Sequence, residues 1–239
     1  MYNSNMKFTK PLIKGKLLKR YKRFFADIKL NKETITAHCP NTGSMKGLLN
    51  PGNEVFISKN DNPKRKLKYT LEIIKVKKRL VGVNTHFANK IANHGLSNNL
   101  INELKNCNEI KAEAFYDKET RFDFLIEKNN KKIFLEVKNV TLFEDNESKI
   151  AEFPDAITAR GSKHLKVLTD AIKKGYKSYL LFLVQIENIE YFRIAKNIDD
   201  IYYQNYLFAK KNGVNFLAYR CKISPKEIKI EKKLKIIDE

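Results

Sequence analysis

Three residues have the types and spacing to do chemistry: Asp123 in "RFDFLIE", and Glu136 and Lys138 in "IFLEVKNVTL". Both segments are apolar enough to be strands in a core. Side chains in a strand alternate between faces, so Glu136 and Lys138 share one side while Leu135 and Val137 take the other. By the same rule Asp123 shares a face with Arg121 and Leu125, opposite Phe122, Phe124 and Ile126. A carboxylate in such a strand is costly unless it is paired, hydrogen-bonded or bound to a metal. Three arrangements answer that cost. Asp123 or Glu136 could salt-bridge to Lys138. The strand could be an edge whose charges face water and discourage aggregation. Or Asp123, Glu136 and the main-chain carbonyl of Val137 could hold Mg²⁺ (or Mn²⁺), a hard ion that takes one or two carboxylates and keeps several waters. In the third case Lys138 would orient or deprotonate a water for in-line attack on a phosphodiester and stabilise the developing charge. The D…ExK triplet is common by chance in a Lys-rich chain, so its weight depends on the elements that carry it.

Those elements fall into two groups. Residues 7 to about 82 read as short strands separated by turns at Pro51-Gly52 and Asn62-Pro63. This is the pattern of a small barrel, best matched by an OB-like one. From 86 to 105 the apolar residues Ile91, Leu96, Leu100, Ile101 and Leu104 recur at helical spacing, with Gly95 read as a break between two short helices. Strands follow at 110–116, 121–127 and 133–140, then a helix at 161–174 closed by Gly175. A strand at 178–186, a helix near 199–212 and the strand "NFLAYRCKIS" complete the order α-βββ-α-β-α-β. The fold class is therefore α+β with two domains. Residues 1–84 are expected to form an OB-like nucleic-acid-binding domain, and the order of elements in residues 85–239 is that of a PD-(D/E)xK nuclease-like domain with a restriction-endonuclease-like αβββαβ core. The Lys-rich last ten residues are expected to fray.

Charge points to a polyanionic partner. The chain of 239 residues carries 47 Lys+Arg against 27 Asp+Glu, a formal net charge of +20, which suits counterion-releasing contacts with phosphates. An AT-rich coding composition would also inflate lysine, so the location of the cations matters more than their sum. "KRYKRF" read as one strand puts Lys19, Tyr21 and Arg23 on one face and Arg20, Lys22 and Phe24 on the other, a surface for phosphates and stacked bases. "NPKRKLK" loads a turn with Lys64, Arg65 and Lys66. "CPNTGSMKG" (39–47) is a donor-rich loop that could cradle a phosphate or only cap the barrel. "FPDAITARGSKHL" gathers Arg160, Lys163 and His164 at a helix start, where main-chain amides favour anions. Asp155 there could cap the turn or reach a metal. Gln185 borders the site or is a satisfied core group. DNA is the expected partner, with RNA on the OB face as the alternative. Three scattered cysteines suit a reducing compartment. No apolar run approaches the roughly 20 residues needed to cross a bilayer, and the first residues lack a signal-peptide core, so the expectation is a cytoplasmic protein with no membrane association.

The chain resembles the sugar fermentation stimulation protein family over nearly its whole length. The resemblance is carried by "LIKGKLLKRYKRFFADI", "TAHCPNTGSMKGL", "NPKRKLKYTLE", "VGVNT", "TRFDFLI", "LEVKNVTL", "FPDAITARGSKHL" and "GVNFLAY". It implies an OB-like domain followed by a PD-(D/E)xK nuclease-like domain, DNA binding, and a description as a regulator of sugar (maltose) metabolism genes. Carried over residue by residue, the motif falls on Asp123, Glu136 and Lys138. Glu103 on the preceding helix or Glu113 on the preceding strand is the additional acid. The chain departs from the superfamily pattern in having Phe122 where a proline often precedes the first acid. Two functions follow as expectations: a Mg²⁺-dependent DNA nuclease, or a non-catalytic DNA-binding regulator that keeps the fold and uses it only to bind.

Overall fold

The computed structural model describes residues 6–118, 120–145 and 147–237. The first six strands are β1 (Ile13–Tyr21), β2 (Phe25–Leu30), β3 (Glu33–His38), β4 (Glu54–Lys59), β5 (Tyr69–Val76) and β6 (Arg79–Gly82). Antiparallel pairings run β3-β2-β1-β4-β5-β6, and a parallel pairing of β3 with β5 closes β1–β5 into a five-stranded barrel. Alternation fills its interior with Leu17, Ala26, Ile28, Ala37, Val55, Ile57 and Leu71, all without solvent exposure. Gly15 lies where β1 crosses β2 closely. A Cβ there would stand 2.6 Å from both Ile28 Cγ2 and Leu30 Cδ2.

The second domain begins with α1 (His86–Ser97) and a 3₁₀ turn at Asn102–Leu104. Strands β7 (Glu109–Phe115), β8 (Arg121–Lys128) and β9 (Lys131–Val140) follow as an antiparallel meander. Next come β10 (Leu142–Phe143), β11 (Ile150–Phe153), α2 (Ala159–Lys173), β12 (Lys177–Val184), β13 (Tyr191–Ile194), α3 (Asp200–Lys211), β14 (Asn215–Ile223), β15 (Ile228–Lys233) and β16 (Lys235–Ile236). The main sheet has the order β15-β14-β12-β9-β8-β7, with β9, β12 and β14 parallel. Helix α1 packs on one face, where Ala88, Ile91 and Leu96 meet Leu135, Val137, Leu181 and Leu183. Helices α2 and α3 cover the other, where Leu165, Leu168, Tyr202 and Tyr206 meet Phe134, Leu180 and Phe182. Burial on both faces explains why β12 is a continuous apolar run rather than an alternating one.

Four expectations change. Gly95 lies inside α1, buried, where a Cβ would overlap Ile230 Cδ1, so it serves close helix-sheet packing rather than a break. The helix instead ends at Asn98 and Asn99, the latter at φ 56°. The C-terminal segment is paired, not frayed: β16 joins β13, and Ile228, Ile230 and Leu234 point inward between solvated lysines. A small sheet of order β10-β11-β13-β16, invisible as short runs in the sequence, buttresses the α2 side. Finally, the two-residue alternation in β8 breaks at Asp123. Phe122 packs with Phe134 beneath α2, whereas Phe124 and Ile126 lie beneath α1.

Candidate functional site

The break in β8 is what presents Asp123. Pairing of β8 with β9 stops at Phe124 and Leu135. The pairing of β7 with β8 skips Glu113 and Asp123 although its register is unchanged on either side. In place of a backbone partner, Val137 N donates to Asp123 Oδ2 (2.7 Å), and Asn89 Nδ2 of α1 donates to Oδ1 (2.7 Å). The N–H and C=O of one strand residue point to the same edge, so the Val137 carbonyl also turns toward the gap beside Asp123.

Glu136, only 4 % exposed, projects from β9 under α2. Its Oε1 accepts Lys138 Nζ at 2.6 Å and also pairs with His164 Nδ1. Arg160 Nε reaches His164 Nε2 (3.5 Å), a pattern that leaves Nδ1 as the donor toward Glu136. The helix that carries these groups is anchored at its start. Thr158 Oγ1 caps it by accepting from Gly161 N (3.0 Å), and Asp199, the N-cap of α3, accepts from Thr158 N (2.8 Å). Asp123 and Glu136 face a cleft of about 670 Å³ whose walls include Glu113, Phe115, Arg121, Arg160, Lys163 and His164.

The two carboxyls differ in how readily they ionise. Burial, and then the nearby negative charge of Glu136, push the Asp123 carboxyl up to about 6 from an ordinary 3.8. Burial opposes ionisation of Glu136 as well, but the hydrogen bond from His164 and the charge of Lys138 outweigh it and hold that carboxyl below its usual range. An acid kept ionised beside another acid that resists ionisation is a site whose repulsion a cation would relieve. The donors are hard oxygens: Asp123, Glu136 through its second oxygen, and the Val137 carbonyl. They suit a hydrated divalent cation that takes oxygen ligands. Among the described residues no three acids, histidines or cysteines are gathered closely enough to enclose an ion, so water or substrate would complete the shell.

The remaining expected residues are distributed as follows. Glu103 sits on the far side of the domain, where its Oε2 accepts from Tyr219 Oη (2.8 Å) and its Oε1 pairs with Lys233. The helix ends before reaching it, so it cannot join Asp123; the α1 residue that does so is Asn89. Glu113 is at the cleft mouth with φ 56°, ion-paired to Arg121 at 2.9 Å. Asn89 was missed because an asparagine on a helix carries no local mark of a partner 34 residues away. Asp155 neither caps α2 nor reaches Asp123: its Oδ2 accepts from Ser44 Oγ and Met45 N (both 3.3 Å), tying the 39–47 loop to the second domain. A Cβ on Gly43 would meet the Asp155 carboxylate and push it away from Ser44 and Met45. Gln185 is fully buried at the junction, bonded through Nε2 to Asn139.

"KRYKRF" is not one two-faced strand. β1 ends at Tyr21, and Lys22 and Arg23 form the tip of the β1–β2 hairpin with φ 46° and 61°. Lys19 extends over the Tyr21 ring (5.4 Å) near Asp27. Arg20 turns inward and donates to Asn41 O (2.6 Å), Gly43 O (3.1 Å) and Arg23 O (3.0 Å). Replacing Arg20 with alanine is therefore expected to cost about 2 kcal/mol in urea unfolding. The salt dependence of any DNA binding should stay unchanged; a shallower slope would return Arg20 to the phosphate contacts. Lys64 and Lys66 are exposed in their turn, and Arg65 reaches toward Thr70 Oγ1 (3.4 Å). Burial, then the charges of His86 and Arg65, lower the His38 pKa. Exposed Phe24 stacks near His38, and His38 near His86, each at 6.4 Å between centroids. This aromatic and basic strip thus leads from the barrel to the start of α1, one turn before Asn89.

Fold and site together define a two-part class: an OB barrel followed by a sheet-and-helix domain in αβββαβ order, with an acid on one central strand and ExK on the next. The chain belongs to the sugar fermentation stimulation protein family. The family model described as the SfsA N-terminal OB domain matches residues 18–83, and that described as the sugar fermentation stimulation protein RE domain matches residues 86–227. A sugar fermentation stimulation protein homolog from Pelagibacter ubique (strain HTCC1062) is 75 % identical over 233 residues, covering 98 % of this chain and 100 % of the relative. One from Maricaulis maris (strain MCS10) is 40 % identical, covering 97 % and 98 %. The structure of Pyrococcus furiosus SfsA in complex with Ca²⁺ superposes with TM-score 0.87 over 98 % of each chain at 24 % identity, a likeness of fold. No helix among the described residues is long and apolar enough to cross a membrane.

Proposed function

We propose that this protein is a DNA-binding phosphodiesterase whose reaction depends on a divalent cation, with Mg²⁺ or Mn²⁺ as the working ion. The observation that carries the reading is the convergence of Asp123 and Glu136, with Lys138 beside them, on a cleft walled by Arg160 and Lys163. Asp123, Glu136 and the Val137 carbonyl would hold the ion. When bound, it would polarise a phosphoryl oxygen and acidify a coordinated water. Arg160 and Lys163 bind the phosphate backbone, and their charge favours the pentacovalent state over the diester. Lys138 orients the attacking water and offsets the charge that develops on the phosphorus oxygens. His164 holds the Glu136 carboxylate in place through Nδ1–H. The exposed lysines of the barrel, with Tyr21 and Phe24, guide the strand toward the cleft. The Ca²⁺ in the Pyrococcus furiosus relative supports a divalent cation here.

The test is a panel of DNA forms (single strand, blunt duplex, hairpin and supercoiled circle) incubated with Mg²⁺, Mn²⁺ or Ca²⁺. Cleavage of at least one form by the wild type, and none by a folded Asp123→Ala variant, is expected. Tight DNA binding with no cleavage under any of these ions sinks the proposal. One observation favours a binding-only regulator of sugar metabolism genes: Lys138 and His164 both hold Glu136, as a structural charge cluster would. That reading expects sequence-preferring binding, unchanged by Lys138→Ala.

A further inference from the structure

Phe115 ends the edge strand β7 and is 72 % exposed, while its neighbour Tyr116 turns inward against Phe122 and Phe134. A single exposed apolar residue is ordinary and means nothing by itself. The position of this one is what matters. Phe115 lines the same cleft as Asp123, Glu136, Arg160 and Lys163. Arg121 lies over one face of its ring at 5.7 Å and is itself held by Glu113. Glu113, two residues earlier, has φ 56°, a conformation that non-glycine residues seldom adopt and that tends to persist at functional sites. The strand thus departs from regular β geometry beside Asp123, and the Phe115 ring is largely exposed in a cleft that Arg160 and Lys163 also line.

We infer that Phe115 is a stacking platform for an unpaired nucleobase, which makes single-stranded DNA, or an unpaired end, the substrate class of the cleft. The inference rests on the proposed phosphodiester site, since the phosphate next to the stacked base is the one delivered to Arg160 and Lys163. The flat π-face of a base is available to a phenyl ring only when the base is out of a duplex stack, and Arg121 adds a cation–π contribution on the far side of the ring.

The chain contains no tryptophan, so Phe115→Trp supplies a single fluorescent reporter. Its emission is titrated, without added divalent metal so that nothing is cut, with a single-stranded oligonucleotide, the same strand made abasic, and the blunt duplex. Saturable quenching by the single strand alone is expected. Phe115→Ala should weaken single-strand binding by about 5- to 150-fold and leave duplex binding within about twofold. The inference is overturned if Phe115→Ala binds single strands like the wild type, or if duplex and abasic strand quench equally. It is also overturned if the alanine variant changes the sedimentation state instead, which would make the edge of β7 a contact between copies. If the wild type binds no nucleic acid, the proposed function falls and this inference with it. If the wild type binds and Arg160→Ala weakens it, yet the reporter stays silent, only the role of Phe115 falls.

Discussion

Lys138→Ala is expected to lower divalent-cation-dependent DNA cleavage by roughly 10²–10⁴-fold while the protein stays folded. The ammonium lies 2.6 Å from Glu136 Oε1 with its side chain 15 % exposed, close enough to the cleft to reach a water or a phosphoryl oxygen. Removing it also takes away one of the two groups that hold Glu136 ionised, and an uncompensated buried carboxylate destabilises. Lys138→Gln separates the two effects, because an amide can still donate to Glu136 but carries no positive charge. It should match the wild type in urea unfolding more closely than the alanine variant does and be as inactive. A glutamine variant that cleaves at the wild-type rate would make Lys138 a structural partner of Glu136. Affinity for uncut DNA, measured without metal, should change little in either variant, because the proposed phosphate contacts come from Arg160 and Lys163.

Binding of Mg²⁺ or Mn²⁺ should strengthen as pH rises through about 6 and weaken by about tenfold for each pH unit below it. Asp123 sets this window. Its folded-state carboxyl is raised to about 6 from 3.8, so between these values the folded protein binds more protons than the unfolded chain. With no cation present, Asp123 therefore makes the fold less stable as pH rises through the window. A cation needs the ionised carboxylate and reverses that trend by offsetting the repulsion from Glu136. Glu136 is held below its usual range by His164 and Lys138, so the rise to about 6 belongs to Asp123. Thermal unfolding with and without Mn²⁺, at about pH 5 and about pH 8, reads both trends. Asp123→Asn should flatten both. An equal Mn²⁺ effect at the two pH values would show that Asp123 does not ligate the ion.

How much of this was legible before the structure differs from group to group. Asp123, Glu136 and Lys138 stand out in the sequence because charges are costly in strands otherwise apolar enough to be buried. The barrel was readable because short alternating runs between turn residues have few other solutions. Local periodicity failed where the backbone departs from it. The faces of β8 were misassigned because the strand breaks its alternation at Asp123 itself, and "KRYKRF" was misread because Lys22 and Arg23 adopt positive φ in a hairpin tip. Gly95 looked like a helix break because glycine's conformational freedom and its small size leave the same mark in a sequence; only the packing of Ile230 distinguishes them.

The amino-acid sequence by itself determined which residue types lie on the central strands, the α-βββ-α-β-α-β order of the longer elements, and the excess of cations. The first two depend on neighbours within a few residues, and the third on composition alone. Tertiary structure decided the partners. It chose Asn89 over Glu103 for Asp123 and gave His164 to Glu136. It directed Arg20 to the carbonyls of the 41–43 loop, and it left Phe115 open at the mouth of the cleft. Those choices join segments 21 to 34 residues apart, and up to 111 for Ser44 and Asp155. Contacts across such separations are set by how layers cross, because each side chain must find a bonding partner after the sheet has placed it. No pattern within one strand or helix records that geometry.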